Sequence, residues 1–195
     1  CLVIVMKNKR LLKQDFYLKP DVIEIARDLL GKVLVTRFNG VETSGIITET
    51  EAYAGVTDKA SHAFGGRKTR RTEIMYRQGG HAYIYLCYGI HSLFNVVTSV
   101  RGIPHAVLVR GVYPLEGEDV MLKRSGKSKI DKLFGSGPGK VAKILGLHFT
   151  HTGLPLVAEE LKDAEPLQVW IEDRNYRVND DEVKVTARIG VDYAQ

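Results

Sequence analysis

Cysteine is scarce in these 195 residues: there are two, Cys1 and Cys87. That excludes a disulfide framework and a cysteine-based zinc set, and it suits a reduced intracellular compartment. Long apolar runs are missing as well. The opening Cys1 to Met6 is too short for a secretory core and no cleavage pattern follows it. No stretch reaches the length needed to cross a bilayer, so no membrane partner is expected. There is no internal repeat, low-complexity tract or linker, which predicts a single domain over residues 1–195 with about 1–15 as an entry segment.

Several catalytic signatures are lacking too. The six histidines are scattered and none sits in a His-Glu-x-x-His pattern; His148 and His151 are three apart, a spacing that chance supplies. No metal and no cofactor is expected. No serine stands in a nucleophile elbow. The run Gly135-Ser136-Gly137-Pro138-Gly139-Lys140 is not a Walker A loop, because its glycine spacing is wrong and Val141 occupies the Ser/Thr position.

What is present is an ordinary globular composition, 44% hydrophobic, with a net charge of +5. The basic excess suggests an anionic partner such as nucleic acid, or simply a soluble surface. Its clustering is more telling. Arg67, Lys68, Arg70 and Arg71 fall within five residues, and Lys123, Arg124, Lys127, Lys129 and Lys132 form a second group.

Pro20 and Asp21 open a predicted helix whose apolar stripe is Val22, Ile23, Ile25, Ala26, Leu29 and Leu30, with Gly31 placed to end it. Lys32 to Phe38 reads as a strand, Asn39-Gly40 as a tight hairpin turn, and the return strand runs to about Tyr53. Residues 54–80 are glycine-rich, basic and irregular around a short helix near Asp58 to Ala63. Further strands are expected at His81 to Tyr88, Phe94 to Ser99, Ala106 to Val112, Leu167 to Glu172 and Val183 to Val191. Helices are expected at Glu116 to Arg124 and Pro138 to Leu145. The order of elements predicts an α+β fold, with a curved, mainly antiparallel β-sheet flanked by helices.

Four motifs can carry chemistry. Strand alternation puts Glu49, Glu51 and Tyr53 on one face. Two carboxylates there mean either a solvated surface or a catalytic task, and spacing alone favours the solvated surface. Tyr83 and Tyr85 share a strand face and Tyr88 follows just before Gly89. Tyrosines in this array suit base stacking, although strands are rich in tyrosine for packing alone. The loop Gly65-Gly66-Arg67-Lys68-Thr69-Arg70-Arg71 can meet phosphates or be a plain solvated loop. Gly137-Pro138-Gly139-Lys140 opens a helix, which favours an anion but is equally a cap.

Together these strings resemble the alkyladenine (3-methyladenine) DNA glycosylase family, the type without a helix-hairpin-helix. The resemblance runs from about Phe16 to the end and rests on Glu49-Thr-Glu-Ala-Tyr53, Ser61-His62, Gly65-Gly-Arg67, Tyr83-Ile-Tyr85, Tyr88-Gly89, Asn95, Val109-Arg110, Pro114-Leu-Glu-Gly117, Ser136-Gly-Pro138 and Ala187-Arg-Ile-Gly-Val191. No one string is specific, but their order and combination are. The resemblance implies a monofunctional enzyme that flips an alkylated or otherwise damaged purine out of duplex DNA and hydrolyses its N-glycosidic bond, leaving an abasic site.

It also implies roles. Glu51 matches the general base and Arg110 a residue that helps hold the water. Tyr53, His62 and Tyr85 match the walls of the base pocket, and Asn95 a pocket residue that disfavours the guanine amino group. Tyr88 matches the side chain that wedges into the duplex. Arg188 to Val191 matches the stretch that closes the pocket from below, with Val191 in the pocket. Arg67, Lys68, Arg70, Arg71 and Lys140 are the expected phosphate contacts. The implied partner is damaged double-stranded DNA, met by a monomer inside the cell. Members of that family usually continue past the Gly190-Val191 segment with a short aromatic-containing strand, whereas this sequence ends at Gln195.

Two other readings fit parts of the pattern. An RNA-binding module would use the tyrosine strand as a stacking platform, but it lacks an RNP-type pattern and leaves Glu51 without a task. A nucleotide or tRNA hydrolase of another class is the second.

Overall fold

The computed structural model describes residues 9–162 and 165–191; Cys1 to Met6 and the end of the chain at Gln195 lie outside them. The strands are β1 (Arg10–Leu11), β2 (Val33–Phe38), β3 (Val41–Tyr53), β4 (Ala82–Cys87), β5 (His91–Thr98), β6 (His105–Glu116) and β7 (Leu167–Asp173). The helices are α1 (Gln14–Tyr17), α2 (Val22–Asp28), α3 (Glu118–Ser125) and α4 (Pro138–Leu145). All seven strands form one curled antiparallel sheet in the order β1-β7-β2-β3-β6-β5-β4. The fold is α+β, in one domain.

Local chemistry explains most elements. The Asp21 side chain accepts from the N–H of Ile23 and Glu24 and so caps α2. Asn39 and Gly40 both adopt positive φ and join β2 to β3 with Phe38 paired to Val41, as the Asn-Gly signal predicts. α4 spans Pro138–Leu145 as expected, with Pro at its first turn and Gly146 ending it.

Alternation divides the sheet into two faces. Leu34, Ile84, Phe94, Val96, Val107, Val109 and Ile171 point to one side, where α2, α3 and α4 bring Ile25, Met121, Ile144 and Leu145 to form the main core. The other side of β4, β5 and β6 carries Tyr83, Val97 and Ala106. These pack against Ala63, Ile74 and Met75 from the long loop between β3 and β4. The helices therefore occupy one face, and the opposite face is left for a cleft walled by a loop.

Three expectations need correction. Ile23 is 62% exposed and does not join the buried stripe of α2. Asp58 to Ala63 forms no helix. The loop instead holds three short 3₁₀ turns at Gly55–Thr57, Phe64–Gly66 and Glu73–Tyr76, because its side chains bond their own backbone, as Asp58 does with the N–H of Ala54 and Ala60. Val183 to Val191 forms no strand: Val185 and Ile189 point to solvent, and the segment runs outside the sheet. The chain before α2 contributes to the fold from Arg10 onward. β1 pairs with β7, and Tyr17 is fully buried with its hydroxyl donating to the Leu156 carbonyl at 3.2 Å. A strand of two residues is too short to show a period in sequence.

Candidate active site

A cleft of about 450 Å³ opens on the face of the sheet away from the helices. Its lining includes Glu51 and Tyr53 from β3, Tyr83 and Tyr85 from β4, Asn95 from β5, Arg110 from β6 and His62 from the loop. Ile189 to Val191 complete it, and Tyr88 stands at its edge. The structure thus brings Glu51, Tyr53, His62, Tyr85, Tyr88, Asn95, Arg110 and Val191 to one place, from segments more than a hundred residues apart.

The carboxylate end of the cleft depends on two compensating irregularities. β3 and β6 pair as Ile47↔Val112, Glu49↔Gly111 and Thr50↔Val109, so Thr48 and Arg110 each stand opposite no residue. The extra Thr48 reverses the alternation of β3. Ile47 lies in the main core, yet Glu51 and Tyr53 line the cleft and Glu49 bonds Arg110 beside it. The extra Arg110 does the same for β6. A glycine loop secures that bulge: the Gly137 N–H donates to the Arg110 carbonyl at 2.8 Å and the Val112 N–H to the Gly135 carbonyl at 3.0 Å. A Cβ on Gly135 would stand 2.0 Å from the Val112 carbonyl oxygen, so no other residue fits there. The Gly135-Ser136-Gly137-Pro138 string accordingly acts as a strut under Arg110.

Glu51 is buried, 6% exposed, and its carboxylate is held from three sides. The Tyr53 hydroxyl donates to Oε1. Oε2 accepts from the Ile189 backbone N–H at 3.3 Å and faces Arg110 Nη1 at 3.4 Å. Arg110 also donates through Nε to Glu49 Oε1 at 2.8 Å, so one guanidinium spans both carboxylates. A carboxylate offers about four acceptor positions. Three are engaged here, which leaves one for a water or substrate. Glu49, partly exposed, is a residue whose task sequence reasoning missed; its spacing from Glu51 was visible, its link to Arg110 was not.

The aromatic walls are ordered by their polar edges. His62 packs edge-on to Tyr85 with centroids 4.6 Å apart, and its Nδ1 meets the Tyr83 hydroxyl at 2.8 Å. Burial, then the positive charge of Arg71 and Arg67, pulls the His62 imidazole down to about 4, so it is neutral at physiological pH. Burial, followed by the hydrogen bond to Glu51, pushes the Tyr53 phenol far above its usual value, and burial does the same to Tyr85. Both remain neutral donors. Asn95 is buried, and its amide nitrogen donates to the carbonyls of Tyr83 at 3.1 Å and Leu93 at 3.3 Å, which fixes its plane.

Two guanidinium groups stack on these walls. Arg188 lies 5.1 Å from the Tyr53 centroid, bonds Asp58 through Nη1 at 2.5 Å and Nη2 at 2.9 Å, and reaches the Ala52 carbonyl at 3.2 Å. Burial raises the Asp58 carboxyl, but the hydrogen bonds from Arg188, Ala60 and Ala54 outweigh it and hold the group below the usual range. This clamp straps the irregular 183–191 segment over the cleft. Nothing in the sequence singled out Asp58. Arg71 lies 4.9 Å from the Tyr85 centroid, with Nη2 3.1 Å from His62 Nε2.

The remaining basic residues stay outside. Arg67, Lys68 and Arg70 are exposed on the loop, and Lys68 lies over the Tyr76 ring at 5.5 Å. Lys140 is exposed on α4, its ammonium on the Leu133 carbonyl at 3.1 Å. Tyr88 is 93% exposed, at the tip of the β4–β5 hairpin. Both Tyr88 and Gly89 have positive φ, 50° and 73°. A tyrosine held so is strained and gains nothing from packing. Among the described residues no group of three or more His, Cys, Asp or Glu could hold a metal ion, and no helix is long and apolar enough to cross a membrane.

Comparison with known proteins points the same way. A family model described as methylpurine-DNA glycosylase matches residues 15–195. Several relatives carry 3-methyladenine DNA glycosylase in their names as an inferred activity. The chain is 46% identical to one from Chlamydia abortus over 186 residues, 95% of this chain and 92% of that protein. It is 40% identical to one from Bacillus cereus over 188 residues, 93% and 88% of the two. A third, from Clostridium perfringens, is 38% identical over 191 residues, 94% and 89%.

Proposed function

The chain belongs to the methylpurine-DNA glycosylase family, and from that premise we propose that it flips a damaged purine nucleotide out of duplex DNA into the cleft and hydrolyses its glycosidic bond with Glu51 as the general base. It is an N-glycosyl hydrolase of the 3-methyladenine DNA glycosylase type. The observation that carries the mechanism is the pinned Glu51 carboxylate on the floor of an aromatic-walled cleft, with one acceptor position open.

A base inside a duplex is out of reach, so the nucleotide must rotate out at a cost of about a few kcal/mol. Damaged bases stack and pair less well, which lowers that cost. Tyr88, projecting from its hairpin tip, fills the gap in the stack and keeps the base from returning. The purine enters between Tyr53, His62 and Tyr85. An alkylated purine is cationic, and an aromatic face that holds no other cation attracts it by about 0.5–2 kcal/mol per contact. Asn95, unable to swing aside, disfavours the exocyclic amino group of guanine.

As the base departs, the sugar develops oxocarbenium character. The cleft floor carries Glu49 and Glu51 against the one charge of Arg110, so it is negative where that positive charge grows. Glu51 takes the proton of the attacking water, and Arg110 with the Arg188–Val191 backbone keeps the carboxylate aimed. No lysine nucleophile takes part, so the product is an abasic site with an intact strand. Arg67, Lys68, Arg70 and Lys140 contact phosphates along the rim. The working unit is one domain acting as a monomer, inside the cell where the DNA is.

The test is Glu51→Gln assayed for free purine by mass spectrometry on methylated duplex DNA, with chelator present. Loss of a general base costs about 100- to 10,000-fold, while binding to abasic-like DNA stays within a few fold. Full activity in the variant refutes the mechanism. Binding without any release by the wild-type protein favours a binding module instead.

A further inference from the structure

Two aromatic walls of the cleft each carry a guanidinium, but the two cations are held very differently. Arg188 on Tyr53 is neutralised by both oxygens of Asp58. Arg71 on Tyr85 has no carboxylate partner among the described residues. Its contacts are the Tyr85 face at 4.9 Å, both nitrogens of the His62 imidazole at 3.1 and 3.4 Å, and the Tyr83 hydroxyl. Arg188 is therefore a fixed strut, whereas Arg71 is an uncompensated cation lodged among the side chains that wall the base pocket.

Arg71 Nη2 stands 3.1 Å from His62 Nε2 and 3.4 Å from Nδ1, so the guanidinium lies against both ring nitrogens, while Nδ1 also meets the Tyr83 hydroxyl at 2.8 Å. Arg71 thus touches the pocket's aromatic groups and lines the cleft beside them. Arg71 itself is exposed and enters from the loop.

We propose that Arg71 sets lesion specificity by charge, holding the Tyr85 face against cationic purines and offering hydrogen-bond donors to neutral, acceptor-rich ones. The inference rests on the base pocket proposed above. Like charges on one aromatic face repel, and a ring quadrupole that already holds one cation attracts a second less. A neutral purine such as hypoxanthine meets no such repulsion. Its ring nitrogens and carbonyl accept charge-assisted hydrogen bonds, the stronger kind. Arg71 is then a specificity-determining residue and stands apart from its neighbours Arg67, Lys68 and Arg70, which face phosphates.

The experiment compares wild type, Arg71→Ala and Arg71→Gln in single-turnover release at saturating enzyme and neutral pH. The substrates are two duplexes of the same sequence, one with 3-methyladenine (cationic) and one with hypoxanthine (neutral). In Arg71→Ala the 3-methyladenine rate rises and the hypoxanthine rate falls, shifting their ratio by about tenfold. Arg71→Gln raises the cation rate while keeping part of the hypoxanthine rate, since the amide still donates. Parallel loss on both substrates with a shallower salt dependence makes Arg71 a phosphate contact and overturns the proposal. A parallel gain makes it a plain plug and also overturns it. So does a wild-type enzyme that releases only the cationic base. Wild-type protein that releases neither base overturns the glycosylase mechanism itself, and that outcome is distinct from an unchanged ratio in an active enzyme.

Discussion

Tyr88 shows at the scale of one residue how function and stability part. Its ring is almost wholly exposed and its backbone sits in the left-handed region. Replacing it removes no packing and relieves strain of about 1 kcal/mol. Tyr88→Asn suits the turn better, because asparagine tolerates positive φ. The variant is expected to melt at the same or a higher temperature, yet to flip the lesion less. A fluorescent base analogue at the target position reports flipping, and an unchanged equilibrium there would remove Tyr88 from the wedge role. His62 yields a second residue-scale expectation. Its folded value of about 4 lies below the ordinary histidine value of 6.5. Folding is therefore favoured by this group above about 6.5, and that contribution is lost as pH falls from 6.5 through 4. Imidazole resonances followed by NMR should show His62 neutral throughout the range from pH 8 to pH 5. A titration midpoint near 6.5 would contradict the buried, Arg71-flanked environment.

At the scale of elements, the pairing of β3 with β6 and the strap over the cleft matter most. The two one-residue bulges restore register within three residues, so the sheet continues undisturbed on both sides while Arg110 lines the cleft and Glu49 bonds it there. The 183–191 segment has no strand partner and is held chiefly by Arg188 on Asp58, with the Ile189 N–H on Glu51 as its functional end. Arg188→Ala should release it. Charge-assisted hydrogen bonds contribute about 1.5–3 kcal/mol, so opening of this segment rises by roughly tenfold or more. Hydrogen exchange would show faster amides over 183–191 and unchanged protection in β3 and β6. Release of alkylated purine should slow in the same variant, because Glu51 loses its backbone donor. Equal exchange in both proteins would mean that other contacts hold the strap.

At the scale of the molecule, a net charge of +5 matters through its distribution. Arg67, Lys68, Arg70 and Lys140 are exposed outside the cleft, while Arg71 and Arg110 line it and Arg188 lies over the Tyr53 ring. If the four rim cations each neutralise a phosphate, log affinity for duplex DNA falls with log salt at a slope of about −3.6. Each rim alanine variant reduces that slope by about 1, whereas Arg71→Ala leaves it unchanged. A flat salt response in fluorescence anisotropy would contradict the rim contacts. The sequence by itself determined what depends on near neighbours: the Asn39-Gly40 turn, the cap of α2, the extent of α4, and the alternation that pairs Glu51 with Tyr53 and Tyr83 with Tyr85. A period of two or 3.6 and a turn dipeptide are local, so they are legible in one line of letters. The ordered motif string carried the family and its expected site residues as well. Only the tertiary structure decided that Thr48 and Arg110 bulge, that Glu49 shares the Arg110 guanidinium, that Asp58 clamps Arg188 instead of opening a helix, and that Arg71 leaves the basic cluster for the Tyr85 face. These are choices between partners separated by up to 130 residues. Charge pairing acts through space with no period along the chain, so only the closed sheet brings the partners within reach.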